Sequence, residues 1–206
     1  MGREIEIKIP LSAEEYQKLF DLIFNKENAI DGVTVKRESC TDGWPRLITK
    51  RDEYWSKYNS REERLTNNEP QVIRLRSEDD GRICRSFFTI KYKKKENGIE
   101  FNREDETFVE DAEVLREFFA EAGYHKWFDK VKKSSGAYCL STVLPGVEFH
   151  LEMEKVNDLP YVEIEVTDDQ MDAESVRKGL EDFVFQLGLN PQKRDSRSWV
   201  EILNQK

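Results

Sequence analysis

Charge and isoleucine alternate along Glu4-Ile5-Glu6-Ile7-Lys8-Ile9. The same period of two returns in Gln71-Val72-Ile73-Arg74-Leu75-Arg76, in Thr89-Ile90-Lys91-Tyr92-Lys93, along Glu148–Lys155 and in Tyr161-Val162-Glu163-Ile164-Glu165-Val166. A period of two places alternate side chains on opposite faces of a β-strand, so each stretch predicts a strand with one apolar and one charged face. Helical spacing appears between the strands. Ser12-Ala13-Glu14-Glu15 has the form of a capping box and leads into Tyr16, Leu19, Phe20, Ile23 and Phe24. Asp111 precedes Val114, Leu115, Phe118 and Phe119, with Gly123 as the stop. A helix near 172–187 carries Val176, Leu180, Phe183, Val184 and Leu187 and closes at Gly188, and a short one near 197–204 carries Trp199, Val200, Ile202 and Leu203.

Apolar helix stripes need an apolar surface to cover, and the Ile/Val faces of the strands supply it. The charged faces must then point away from the helices. Many strands with few helices fit an α+β fold, a closed antiparallel β-barrel with helices packed outside, as one domain over 1–206. Segment 56–70 lacks apolar periodicity and reads as a loop, and Asp42-Gly43 and Asn97-Gly98 read as tight turns.

Charged residues make up 36% of the chain, against about 25% in an average domain. Much of that excess lies in same-face blocks. Glu4, Glu6, Glu104, Glu106, Glu152, Glu163 and Glu165 oppose Lys8, Arg74, Arg76, Lys91, Lys93 and Lys133, and a closed barrel turns both sets into one lumen. One such strand alone reads as a solvated face; five in one chain weaken that reading. Carboxylates are hard ligands suited to Mg²⁺ or Mn²⁺, whereas guanidinium and ammonium groups suit phosphate oxygens. A lumen carrying both matches a metal–polyphosphate complex.

The remaining composition narrows the field. A net charge of −9 disfavours nucleic acid as a partner. No apolar run approaches the ~20 residues that span a bilayer, and no leader segment is evident, so no membrane partner and a cytoplasmic location are expected. Cys40, Cys84 and Cys139 lack paired spacing, which argues against disulfides and a zinc centre. Aromatic packing is the simpler reading of Trp44, Trp55 and Trp127, although each could stack on a ligand ring. His150 shares a face with Glu152 and reads as a surface or hydrogen-bonded histidine before a tunnel residue.

Glu4-x-Glu6-x-Lys8 resembles the signature of the CYTH superfamily, the triphosphate tunnel metalloenzymes. The resemblance continues in family order through Lys50-Arg51-Asp52-Glu53-Tyr54-Trp55, Arg74-Leu75-Arg76, Thr89-Ile90-Lys91, Leu159–Glu165 and Ser196–Leu203. It implies an eight-stranded tunnel in which Glu4, Glu6, Glu163 and Glu165, with Glu152, hold one or two divalent ions. Lys8, Arg74, Arg76 and Lys91 would grip a triphosphate. Hydrolysis of inorganic or organic triphosphate is then the expected activity, with Glu163 or Glu165 taking the proton of the attacking water. Cyclisation of ATP and non-catalytic polyphosphate binding are the alternatives, and a homodimer stays open.

Two departures from the family pattern bear on these roles. In Val131–Tyr138, Ser135 stands where the resemblance expects Arg; Lys133 is kept, and either a phosphate-binding cation is lost or Lys132 replaces it. The register of 103–106 stays open by one residue.

Overall fold

The structure is a computed structural model and describes residues 3–25, 27–36, 45–67, 69, 71–96, 99–167 and 171–204. Cys40, Trp44 and the expected turns at Asp42-Gly43 and Asn97-Gly98 lie outside the described residues. In chain order the elements are β1 (Arg3–Pro10), α1 (Ala13–Phe24), β2 (Val33–Lys36), β3 (Ile48–Ser56), α2 (Arg61–Thr66), β4 (Gln71–Asp79), β5 (Cys84–Glu96) and β6 (Ile99–Val109). They continue with α3 (Ala112–Glu121), β7 (His125–Ser141), β8 (Glu148–Val156), β9 (Leu159–Thr167), α4 (Ala173–Gln186) and α5 (Trp199–Leu203).

The strands pair in the order β2-β7-β3-β4-β5-β6-β1-β9-β8, and β8 returns to β7. Eight antiparallel strands therefore close into a barrel, and β2 adds outside the ring along the C-terminal part of β7. Closure depends on β7, whose 17 residues pair with β3 through one half and with β8 through the other. Asn157 and Asp158, both at positive φ, make the tight turn between β8 and β9, which suits the right-handed twist of the paired strands.

Alternation sorts the two barrel surfaces. Ile5, Ile7, Ile9, Leu151, Met153, Val162, Ile164 and Val166 point outward and are buried under α1 and α4, whose Leu19, Ile23, Leu180, Phe183 and Val184 complete the core. A smaller outer cluster joins Trp55, Ile73 and Leu75 to Phe119 of α3. Trp55 is thus core, as its apolar character suggested. The capping box at Ser12 is formed, with Ser12 accepting from the Glu15 amide and Glu15 accepting from the Ser12 amide.

Segment 56–70 is not all loop, because α2 occupies part of it. Ser60 Oγ accepts from the Glu63 amide at its start, and Arg64 ties it down through Glu69 and the face of Trp127. A charged anchor replaces the apolar stripe that periodicity looks for. Among the described residues no helix is long and apolar enough to cross a membrane.

Candidate functional site

The barrel interior is built from the charged faces of the strands. Lys50, Arg74, Arg76, Lys91 and Lys132 share a cavity of about 370 Å³ with Glu4, Glu6, Glu104, Glu152, Glu163 and Glu165. A smaller extension of about 60 Å³ continues past Lys93 and Lys130 to Trp199. The indole closes that end. Its Nε1 donates to Glu163 Oε1 at 3.0 Å, and the ammonium groups of Lys8 and Lys130 lie 4.9 and 5.2 Å from its ring centroid. The opposite end is open, with Glu106 and Tyr138 about two-fifths exposed.

Register explains the neighbours. Glu6 pairs with Glu165, Lys8 with Glu163, Glu152 with Glu163 and His150 with Glu165. Lys91 lies opposite Glu104, so Glu104 and Glu106 face inward while Arg103 and Asp105 pair on the outside at 3.3 Å. The open register of 103–106 is thereby resolved. Lys91 bonds Glu104 and lies 3.4 Å from Glu6 and 3.8 Å from Glu4, and Arg74 reaches Glu104 and Glu106 at 3.3 Å each. Lys93 is paired with Glu100 at 2.7 Å, nearer the closed end.

One expected residue is misplaced. Lys133 is exposed on the outer face of β7, and Lys132 points inward instead, because the strand register is one residue away from the one inferred by resemblance. The same shift turns Ser135 outward, opposite Met153 and beside the buried Ala137, so its identity removes no cation from the lumen. The lumen contains further residues beyond the carboxylates and bases assigned to it from the sequence, although the period of two along Glu148–Lys155 puts Glu154 on one face with His150 and Glu152. Asp52 takes two bonds from Arg76, at 2.6 and 2.9 Å, and lies 3.3 Å from Lys130. Lys50 bonds Glu152, and fully buried Glu154 accepts from Lys132 at 2.7 Å. His150 is hydrogen-bonded, Nδ1 to Glu165 Oε1 at 2.8 Å, and it also lines the cavity.

Two groups of carboxylates converge closely enough to share an ion: Glu4, Glu6 and Glu165, and Glu152, Glu154 and Glu163. The second group already surrounds an ammonium. Lys132 Nζ lies 2.6 Å from Glu152, 2.7 Å from Glu154 and 3.5 Å from Glu163. Burial opposes ionisation of Glu152, yet Lys132 and Lys50 hold its carboxyl well below the usual range. Burial likewise opposes ionisation of Glu163, but Lys132, Lys130 and Lys8 bring it down to about 2. Glu154 moves the other way: burial and the Glu163 carboxylate push it up to about 7.

In the first group burial and the Glu104 carboxylate push Glu4 up to about 8, despite Lys91. Burial also raises Glu6 above its ordinary value. Carboxylates held short of balancing charge, with oxygen donors turned to one point, suit a hard divalent cation. Of the residues expected to hold metal, the structure gathers Glu4, Glu6 and Glu165 in one group and Glu152 and Glu163 in the other. Glu104 and Glu106 instead serve Lys91 and Arg74.

Neither a protein-family model nor a curated protein sequence matches the chain. Solved structures do. A conserved hypothetical protein from Pyrococcus furiosus superimposes with a TM-score of 0.67 at 22% identity, over 96% of this chain and 98% of that one. A candidate adenylate cyclase from Vibrio parahaemolyticus gives 0.64 at 16% identity, over 98% of each chain. A Hippeastrum protein described as having a dominant triphosphatase activity gives 0.57 at 14% identity, over 98% of this chain and 94% of that one. At such identities the likeness is one of fold, and the chain has the fold of these proteins, the tunnel barrel that its sequence motifs resemble.

Proposed function

We propose that the chain is a metal-dependent hydrolase of triphosphate substrates. The observation that carries this reading is the closed tunnel in which the under-neutralised carboxylates Glu4, Glu6 and Glu165 face Arg74, Arg76, Lys91 and Lys132 across one cavity. Polyphosphate oxygens would replace the carboxylates now bonded to Lys91 and Arg74, and the two guanidinium groups can each take two oxygens. A Mg²⁺ or Mn²⁺ ion at Glu4, Glu6 and Glu165 supplies charge neutralisation at the phosphoryl oxygens when bound.

The protein's own part is positioning and proton handling. Water attacks phosphorus, the bond from phosphorus to the bridging oxygen breaks, and the water's proton passes to a lumen carboxylate. Of the two carboxylates expected for that role, Glu163 is a poor base. It is held at about 2 by three lysines that outweigh its burial, and it is fixed by Trp199. Glu165, which lines the larger cavity with its carboxylate oriented by His150, is assigned as the base on its position. Glu163 and Glu152 anchor the cationic wall, and Lys8 and Lys93 lie toward the closed end, Lys8 against Trp199 and Lys93 paired with Glu100.

The test is phosphate and cyclic-nucleotide release from tripolyphosphate, thiamine triphosphate and ATP, with Mg²⁺ or Mn²⁺ and with chelator. Chelator-sensitive phosphate release that Glu4→Gln abolishes is expected. Cyclic AMP as the main product from ATP would replace the hydrolase by a cyclase, and tight tripolyphosphate binding without turnover would replace it by a binding protein.

A further inference from the structure

The larger cavity is lined by Glu, Lys and Arg with two exceptions among the described residues, Tyr138 and His150. The two rings lie against each other, partly overlapping, on the wall at the open end, directly opposite each other in the β7–β8 register, with centroids 4.8 Å apart and planes 31° apart. His150 is held on several sides. Nδ1 meets Glu165 Oε1 at 2.8 Å, Tyr138 covers part of its ring, and Gly136 leaves the space its edge occupies. A Cβ at Gly136 would come within 3.1 Å of His150 Nε2. Tyr138 nevertheless keeps 39% of its surface exposed.

Phosphate oxygens are served by ammonium and guanidinium groups and gain nothing from an aromatic face. An ordered ring pair with exposed aromatic surface, set into a wall of charges beside Glu165, fits the part of a ligand that is not phosphate. We propose that Tyr138 and His150 form a stacking platform for a planar heteroaromatic group, which makes the substrate an organic triphosphate carrying such a ring in preference to inorganic tripolyphosphate. The inference rests on the triphosphate reading of the tunnel. It adds that selectivity resides at the mouth, because the phosphate-binding interior is blind to what the phosphates are attached to. A fixed platform gives up little freedom on binding, so the stacking energy appears in affinity.

Equilibrium binding separates the two layers of the argument. Dissociation constants for ATP, thiamine triphosphate and tripolyphosphate are measured by calorimetry on the wild type, Tyr138→Leu and Tyr138→Phe. Removing a stacked ring typically weakens binding by about tenfold or more. Tyr138→Leu is therefore expected to raise the ratio of the organic to the inorganic dissociation constant by about tenfold, for ATP, for thiamine triphosphate or for both, and Tyr138→Phe should restore it. The ligand that responds identifies the ring. A ratio that does not move for either organic ligand, or that Tyr138→Phe fails to restore, overturns the platform. A wild type that binds none of the three would overturn the triphosphate reading itself.

Discussion

The tunnel holds two groups of three glutamates with the same donor atoms and different surroundings. Glu152, Glu154 and Glu163 enclose the ammonium of Lys132, which helps hold Glu152 and Glu163 low while burial and Glu163 push Glu154 up to about 7. Glu4 and Glu6 share Lys91 with Glu104, which it bonds more closely than either, and among the described residues Glu165 meets only the His150 ring. Glu4 is left with a pKa of about 8 because burial and Glu104 oppose its ionisation. The difference teaches how to read an acidic cluster. Proximity of carboxylates alone marks neither a metal site nor a structural knot; what matters is whether the protein itself supplies the cation. A group whose cation is shared with another carboxylate keeps free energy available for an external ion.

The sharpest way to break the comparison is to remove one charge from each group. Glu4→Gln is expected to lower metal-dependent turnover on the order of a thousandfold, equivalent to ~4 kcal/mol of transition-state stabilisation, as measured by steady-state phosphate release. Its melting temperature in chelator should hold or rise, since a poorly compensated carboxyl has gone. Lys132→Met does the opposite to the other group: it leaves Glu152 and Glu154 buried without their ammonium. A loss of about 3–5 kcal/mol in urea-unfolding stability is expected.

A finer probe is Trp199→Phe. It removes the indole N–H that donates to Glu163 while keeping an aromatic plug at the closed end, and a loss of about 1.5 kcal/mol is expected from the hydrogen bond to a charged group. A further probe is pH alone. Glu4 and Glu154 have folded pKa values of about 8 and about 7, above the ordinary 4.5. A carboxyl shifted upward on folding makes no destabilising contribution below 4.5 and an increasing one as pH rises through the folded value. Melting of the ligand-free protein in chelator should therefore fall between pH 4.5 and 8 and level off above it, and Glu4→Gln should flatten the upper part of that slope.

These roles were unevenly legible in the sequence. Where isoleucine or valine alternated with charge, as in Glu4–Ile9 and Tyr161–Val166, the apolar residues fixed which face was buried and so which charges were internal. β6 held less of that signal, which left its register open by one residue; the structure turns Glu104 and Glu106 inward. In Lys132–Ser135 and Lys50–Glu53 both faces are polar, and after the single Val131 no apolar period marks the register until Ala137 and Cys139. That is why Lys133 was expected in the lumen in place of Lys132, and why Lys130 and Asp52 went unassigned. Outward Glu53 is explained only by Arg116 of α3, 2.9 Å away and 63 residues on. The closure of the tunnel by Trp199 is equally long-range. Its helix was visible as an apolar stripe, but its seat over Lys8, Lys130 and Glu163 depends on the barrel already being closed.

The most direct test counts bound Mn²⁺ by electron paramagnetic resonance in the wild type, Glu4→Gln and Glu154→Gln, each with tripolyphosphate present. The account predicts that Glu154→Gln binds the ion as the wild type does and that Glu4→Gln loses it. Retention by Glu4→Gln together with loss in Glu154→Gln would contradict the account, placing the ion among Glu152, Glu154 and Glu163 and leaving Glu4, Glu6 and Glu165 without the role assigned to them.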